Sequence, residues 1–272
     1  MNRRSSPLLS VVMIGLACLV GLPLYYILVN TFKTQQEMVS SPLALPSSPH
    51  LANYAEVLQS VPLGQSFANT LYVTAGSIFV QLAVGATAAY AMIMRATRFN
   101  RVFGVILLLG FIVPGQSTLI PLYRTLVDLK LVDTLNGLIF MYSGGAIFCY
   151  FLIQGYMRTL PFEIIEAARI DGAGVFQIFW RIVLPLITPI LVTVGVFQTM
   201  WVWNDFILPN VLLSSPSKRT IVLQVYSAVG EFTTDWPAFM TLSVIALAPM
   251  VVFFVATQRH IVSGLLAGSV KG

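Results

Sequence analysis

The sequence predicts an all-α integral membrane protein, and three observations carry that expectation. Of 272 residues, 57% are hydrophobic and only 9% are charged, where a soluble domain carries about a quarter charged residues. The apolar residues gather into six stretches, each near the roughly 20 residues a helix needs to cross a bilayer core. The basic residues stand at the ends of those stretches, the pattern membrane topology produces.

The six expected spans are 8–30, 68–94, 102–123, 135–156, 185–208 and 238–257, forming one transmembrane domain over 1–272. Glycines and prolines interrupt them, which membrane helices tolerate when neighbours cover the freed backbone groups. The first follows the basic "MNRRSS" and resembles a signal peptide at first sight. Its apolar run is too long for a signal core and no small-residue cleavage site follows closely, so a retained anchor is expected. In the second, Gly85 and Ala89 lie four apart, a small-xxx-small pair that permits close helix contact. The first connecting loop, about 31–67, is Ser/Pro-rich and then takes helical spacing, as a short surface helix would. No internal repeat and no separable soluble domain is evident.

Lys and Arg set the orientation. With the N-terminus in the cytoplasm, ten of the fifteen basic residues fall inside: Arg3, Arg4, Arg95, Arg98, Arg101, Arg158, Arg169, Arg181, Arg259 and Lys271. Lys33, Arg124, Lys130, Lys218 and Arg219 fall outside. This bias predicts both termini in the cytoplasm of a multi-pass plasma-membrane protein.

Composition also removes several classes. The net charge of +5 is dispersed along the chain, so no nucleic-acid groove is expected. Cys18 and Cys149 lie within apolar runs and read as small hydrophobes, with no disulfide. His50 and His260 are far apart, with no ligand spacing for a metal.

Against this background the segment "EIIEAARIDGAG", Glu163–Gly174, is unusually charged, and orientation puts it in the cytoplasmic loop 157–184 between spans four and five. Thr159 is a candidate N-cap, Pro161 suits a first turn, Glu163 complements the positive end of the helix dipole, and Gly172 supplies a left-handed stop. "VFQIFWRIVL" then predicts a second helix with Phe176, Phe179 and Val183 on one face, before Pro185 and Pro189 open span five. A connector needs only about five residues. Two readings fit this longer loop: an interfacial helix that pairs Glu166 with Arg169, or a rigid knob that docks a soluble partner.

Glu166-Ala167-Ala168, Asp171-Gly172-Ala173, Phe179, Ile182, Pro185 and Pro189 resemble the "EAA" signature of permease subunits of ATP-driven (ABC) importers. The likeness extends along the whole chain, through "WVWNDFILP" at 201–209 and the tail "GLLAGSVKG" at 264–272, and is most similar to the carbohydrate branch and its maltose-type second permease subunit. It implies that Glu163, Glu166, Ala167, Ala168, Arg169, Asp171, Gly172 and Ala173 form a coupling helix that enters a cleft of an ATPase subunit. The implied partners are a second permease subunit, two ATPase subunits and an extracytoplasmic sugar-binding protein touched by the outer loop 210–239. ATP and Mg belong to the ATPases, and this chain is expected to bind no cofactor and to catalyse nothing. The tail lacks P-loop spacing and by resemblance sits near the ATPase interface.

Near the outer end of span five, Gln198, Trp201, Asn204 and Asp205 bring two amides and an acid beside an aromatic ring. Such groups bind sugars, by stacking on the ring and hydrogen-bonding its hydroxyls. They also join helices to one another, and both roles stay open. A secondary transporter would be expected to carry coupling carboxylates at midplane, and an intramembrane hydrolase a Ser–His or paired-Asp set; neither is present in the spans. An importer permease for amino acids, phosphate or peptides is the nearer rival; the tail and "WNDF" favour a sugar by resemblance.

Overall fold

The computed structural model describes residues 7–95, 97–161, 163–231 and 235–269, with side chains from 9 to 259 apart from 228 and 230–231. Every regular element among them is helical: α1 Pro7–Asn30, α2 Gln35–Ser40, α3 Ala52–Ser60, α4 Leu63–Met94, α5 Arg98–Ile112, α6 Leu119–Asp128, α7 Leu135–Tyr142, α8 Ala146–Met157, α9 Glu163–Ile170, α10 Val175–Ile178, α11 Leu184–Asn204, α12 Ile207–Leu212, α13 Ile221–Glu231 and α14 Trp236–Ser269. Short 3-10 turns lie at Gly115–Thr118, Ser143–Gly145 and Pro216–Lys218. Arg3, Arg4, Lys271, residues 232–234 of the outer loop and residues 270–272 of the tail lie outside the described residues.

Among the described residues, five helices are long and apolar enough to cross a membrane: Leu9–Asn30, Leu63–Met94, Leu135–Met157, Val175–Asn204 and Trp236–Arg259. The third expected span is not one straight helix. α5 ends at Ile112, and the chain turns by 93° before Gly115–Asp128. The cause is Pro114. Its ring disfavours helical backbone at the preceding residue, and Val113 is extended, at φ −66° and ψ 123°. The bent pair makes a sixth crossing only if it passes the membrane as one broken span.

The fifth expected span, 185–208, also shifts. Helix runs from Val175 to Asn204 through a π-helical turn, Phe179–Val183, so the presumed second loop helix and the span are one element. In a regular α-helix the Pro185 ring would meet the carbonyl four residues back, and the wider π turn lies at that place. Phe179 and Val183 are buried while Phe176 is 81% exposed, so the three do not share a face. The loop expected over 157–184 shortens to 158–174.

The chain divides into two compact units, residues 1–64 with 223–251, and residues 65–222 with 252–272. In the first, the loop after α1 folds over a buried lysine. Lys33 is fully buried and its Nζ donates to the carbonyls of Ser41 (2.8 Å) and Pro42 (3.3 Å). Asn53 Nδ2 donates to the carbonyls of Thr31 and Lys33, at 2.8 and 2.9 Å. The expected surface helix is present as α3, though it stops at Ser60 before Pro62.

The second unit holds the main core, built where α4, α8, α9 and α11 meet. Ala89, Cys149, Ile153, Val183, Ile187 and Val194 are fully buried in it. Gly85 faces α8 so closely that an added Cβ would lie 2.7 Å from Cys149 Cβ. The Gly85–Ala89 pair thus lets α4 approach its neighbour, as small residues do in membrane bundles.

Candidate functional site

Two places concentrate polar chemistry on this apolar scaffold: the α9 loop and a cavity at the other end of the Val175–Asn204 helix.

α9 is short and finished at its C-terminal end. The Ala173 amide donates to the Ala168 carbonyl (2.9 Å) and the Gly172 amide to the Arg169 carbonyl (3.0 Å). These are the two bonds of a Schellman closure, which needs a left-handed residue, and Gly172 has φ +83°. The N-terminal expectation fails at Thr159. Its hydroxyl donates to the Tyr156 carbonyl at 2.7 Å, tying it to the end of α8 instead of capping α9. The residue directly before α9, 162, lies outside the described residues.

Seating is one-sided. Ile165 and Ala168 are buried in the core, while Glu163, Glu166, Ala167, Arg169, Asp171 and Gly172 are exposed. Of the two alanines, therefore, one grips the chain's own core and one faces out. The Arg169 guanidinium reaches Met94 Sδ at 3.9 Å, and no ion pair with Glu166 is formed, so the self-neutralised interfacial helix is not what is observed. Tyr90 anchors the next segment: its hydroxyl donates to the Val175 carbonyl at 2.9 Å, and its ring lies 5.1 Å from that of Phe179.

At the far end, Trp201, Asn204 and Asp205 line a cavity of about 510 Å³ together with Gln116, Thr118 and Met141. Trp201 is 73% exposed. Asp205 Oδ2 accepts from the Tyr142 hydroxyl at 2.8 Å and Oδ1 from the Ile207 amide at 2.9 Å. The Asn204 side chain, itself exposed, donates to the Met200 carbonyl at 2.8 Å.

Gln198 does not join them. It is buried, and its Nε2 donates to Gln81 Oε1 (2.9 Å) and the Gly145 carbonyl (3.3 Å). Gln81 Nε2 in turn donates to the Tyr142 carbonyl at 2.6 Å. Of the open roles for the Gln198–Asp205 group, helix joining takes Gln198, and the other three stay at the cavity. Gln81, Tyr142 and Gln116 were missed from sequence. For Gln81 a signal existed, since a lone amide inside an apolar span needs a partner, but nothing in sequence named that partner.

A third cluster closes the loops beside α7. Asp133, at φ +56°, accepts from the Ser214 and Ser215 amides (both 3.0 Å), the Ser215 hydroxyl and Lys218 Nζ (3.0 Å). The Ser215 hydroxyl foremost, with these amides and the ammonium, holds its carboxyl well below the ordinary value.

Long apolar helices, an exposed acidic helix between two of them and a cavity carrying a few polar groups are the make-up of a multi-pass membrane protein. Residues 81–266 match the family described as binding-protein-dependent transport system inner membrane component, and the chain belongs to that family. It is 35% identical over 92% of its length, and 91% of the relative's, to a probable starch degradation products transport system permease protein of Thermoanaerobacterium thermosulfurigenes. It is 33% identical to a melibiose/raffinose/stachyose import permease protein of Bacillus subtilis, over 94% of this chain and 93% of that one. Among solved structures it is similar to a bacterial ABC transporter involved in the import of the acidic polysaccharide alginate. There the TM-score is 0.81 at 25% identity, over 93% of this chain and 95% of that chain.

Proposed function

We propose that this chain is one of two permease subunits of an ATP-driven, binding-protein-dependent sugar importer in a bacterial or archaeal plasma membrane. All of 1–272 acts as one permease domain with six crossings, the third broken at Pro114, and both termini in the cytoplasm. The observation that carries this reading is α9: an exposed acidic helix, closed by a glycine turn, seated on the core and followed directly by the long helix to Asn204. The carbohydrate class rests on the relatives, whose names specify starch products and raffinose-type sugars.

In this reading an extracytoplasmic binding protein docks on the outer loops, 210–239 among them, and releases sugar to the cavity lined by Trp201, Asn204 and Asp205. The indole offers a stacking face, and the Asp205 carboxylate, held by Tyr142, accepts hydroxyl hydrogens. A second permease subunit completes the pathway. Two ATPase subunits bind ATP and Mg, and one receives α9 in a cleft. Glu163, Glu166, Ala167, Arg169 and Asp171 form the docking face, Ala168 seats it, and Gly172 and Ala173 close it. ATPase closure moves α9 and, through the continuous helix, the outer cavity. This chain itself hydrolyses nothing.

The test is reconstitution of the full assembly in liposomes with labelled maltodextrin, raffinose and an amino-acid mixture. ATP-dependent uptake of an oligosaccharide is expected, and Glu166→Ala should lower it severalfold without reducing membrane insertion. Uptake of amino acids alone would overturn the sugar assignment. Full ATP-driven uptake by the variant would overturn the coupling role.

A further inference from the structure

A second cavity, of about 580 Å³, lies between the end of α4, α5 and α8, and the transport reading leaves it unused. Its two ends differ. At one end stand Arg101, Arg158, Asn100 and Gln154; at the other, Val105, Leu108 and Phe151. Among the described residues no acid lines it, and the neighbouring stretch 91–101 holds Arg95, Arg98 and Arg101 with no carboxylate. The polar end is already ordered. Arg158 Nη2 donates to Gln154 Oε1 at 3.2 Å, Gln154 Nε2 to the Tyr150 hydroxyl at 2.8 Å, and that hydroxyl to Met92 Sδ at 2.8 Å.

Gly104 supplies the gap. It lines the cavity between Arg101 and Leu108, and a Cβ there would face the Tyr150 hydroxyl at 3.6 Å. The apolar wall is open outward, with Val105 52% and Leu108 47% exposed, and α5 buries none of its residues. A cavity with two unneutralised guanidiniums at its head and an apolar slot open to the hydrocarbon matches an amphiphilic anion. The Arg169–Met94 contact puts this head at the same end of the unit as α9.

We propose that this cavity is a binding site for an anionic phospholipid. The phosphate sits between Arg101 and Arg158, with Asn100 donating to a further oxygen, and the first methylenes lie along Val105, Leu108 and Phe151. Guanidinium forks match phosphate oxygens in geometry and charge, and basic pockets between spans on the cytoplasmic face hold such headgroups. Lipid binding requires neither sugar nor ATP, so the proposal stands or falls apart from the transport reading.

Native mass spectrometry of the purified full-length chain in its assembly tests it, with phosphatidylglycerol and phosphatidylcholine titrated in parallel. Phosphatidylglycerol should be retained at lower concentration, and Arg101→Gln/Arg158→Gln should weaken it by roughly fivefold for each guanidinium removed. Phosphatidylcholine should be unaffected. Equal retention of both lipids by the unaltered protein overturns the proposal without any variant. So does an unchanged affinity in the double variant, or displacement of the lipid by millimolar glycerol phosphate alone, which would mark a site for a free phosphate.

Discussion

The Tyr142 hydroxyl lies 2.8 Å from Asp205 Oδ2, so the acid that lines the cavity at the end of the Val175–Asn204 helix is held by a side chain from the neighbouring helix. Tyr142 is 5% exposed, and its main-chain carbonyl accepts from Gln81. One residue thereby links the cavity rim to the amide pair in the bundle. Tyr142→Phe removes the hydroxyl and keeps the ring. A hydrogen bond to a charged group is worth about 1.5 to 3 kcal/mol, but Asp205 retains the Ile207 amide. A loss near the lower figure is expected in thermal unfolding, together with a severalfold rise in KM for sugar at nearly unchanged kcat.

Gly172 tests the closure of α9 without touching anything else. At φ +83° with open space around it, Gly172→Ala meets only backbone strain, about 1 kcal/mol. The end of α9 should fray, ATP-driven uptake should fall, and membrane insertion should remain normal. Gly172→Asn should fall between the two, because Asn tolerates the left-handed region better than Ala. Uptake assays beside membrane quantification decide it.

Gln81 and Gln198, 1% and 7% exposed, are joined across the bundle by one hydrogen bond, from Gln198 Nε2 to Gln81 Oε1. Gln81→Leu alone takes from Gln198 the nearer of its two acceptors, leaving it the Gly145 carbonyl at 3.3 Å, and takes the side-chain donor from the Tyr142 carbonyl; removing both glutamines leaves no amide short of an acceptor. A double-mutant cycle on unfolding in lipid or detergent should therefore show a coupling of about 0.6 to 1.7 kcal/mol, the range for hydrogen bonds between membrane helices.

The Asp133 clasp predicts a pH response. Its folded pKa lies below the ordinary 3.8, so its stabilisation is fully present above that value and fades only as pH falls below it toward the lowered one. Hydrogen exchange at the Ser214 and Ser215 amides should stay slow and pH-corrected rates flat from pH 7 to 5. Asp133→Asn should speed exchange there at every pH.

How far the sequence could be read depended on the range of the interaction. α9 was legible because its signals are local: an acidic first turn, a periodic apolar seat and a glycine at the one position that needs a left-handed residue. Helicity and the long apolar stretches were legible for the same reason. The turn at Val113–Pro114 was not, since membrane helices often carry proline without breaking, and the same tolerance hid the π turn that joins 175 to 204. Thr159 was misassigned because a threonine beyond a helix can bond backward as readily as cap forward. The Gln81–Gln198 bond joins residues 117 apart, and no local pattern names such a partner.

The unbroken helix from Val175 to Asn204 has a mechanical consequence. Thirty residues make a continuous helix about 45 Å long, with the π turn at Phe179–Val183 lying where loop was expected to give way to span. If such a rod pivots near its middle, each ångström of travel at one tip returns about an ångström of opposite travel at the other. Displacement at the glycine turn need not then be relayed through a chain of repacked side chains. If the π turn and Pro189 do not flex, it reaches Asn204 along one helix, beside the Tyr142–Asp205 hydrogen bond.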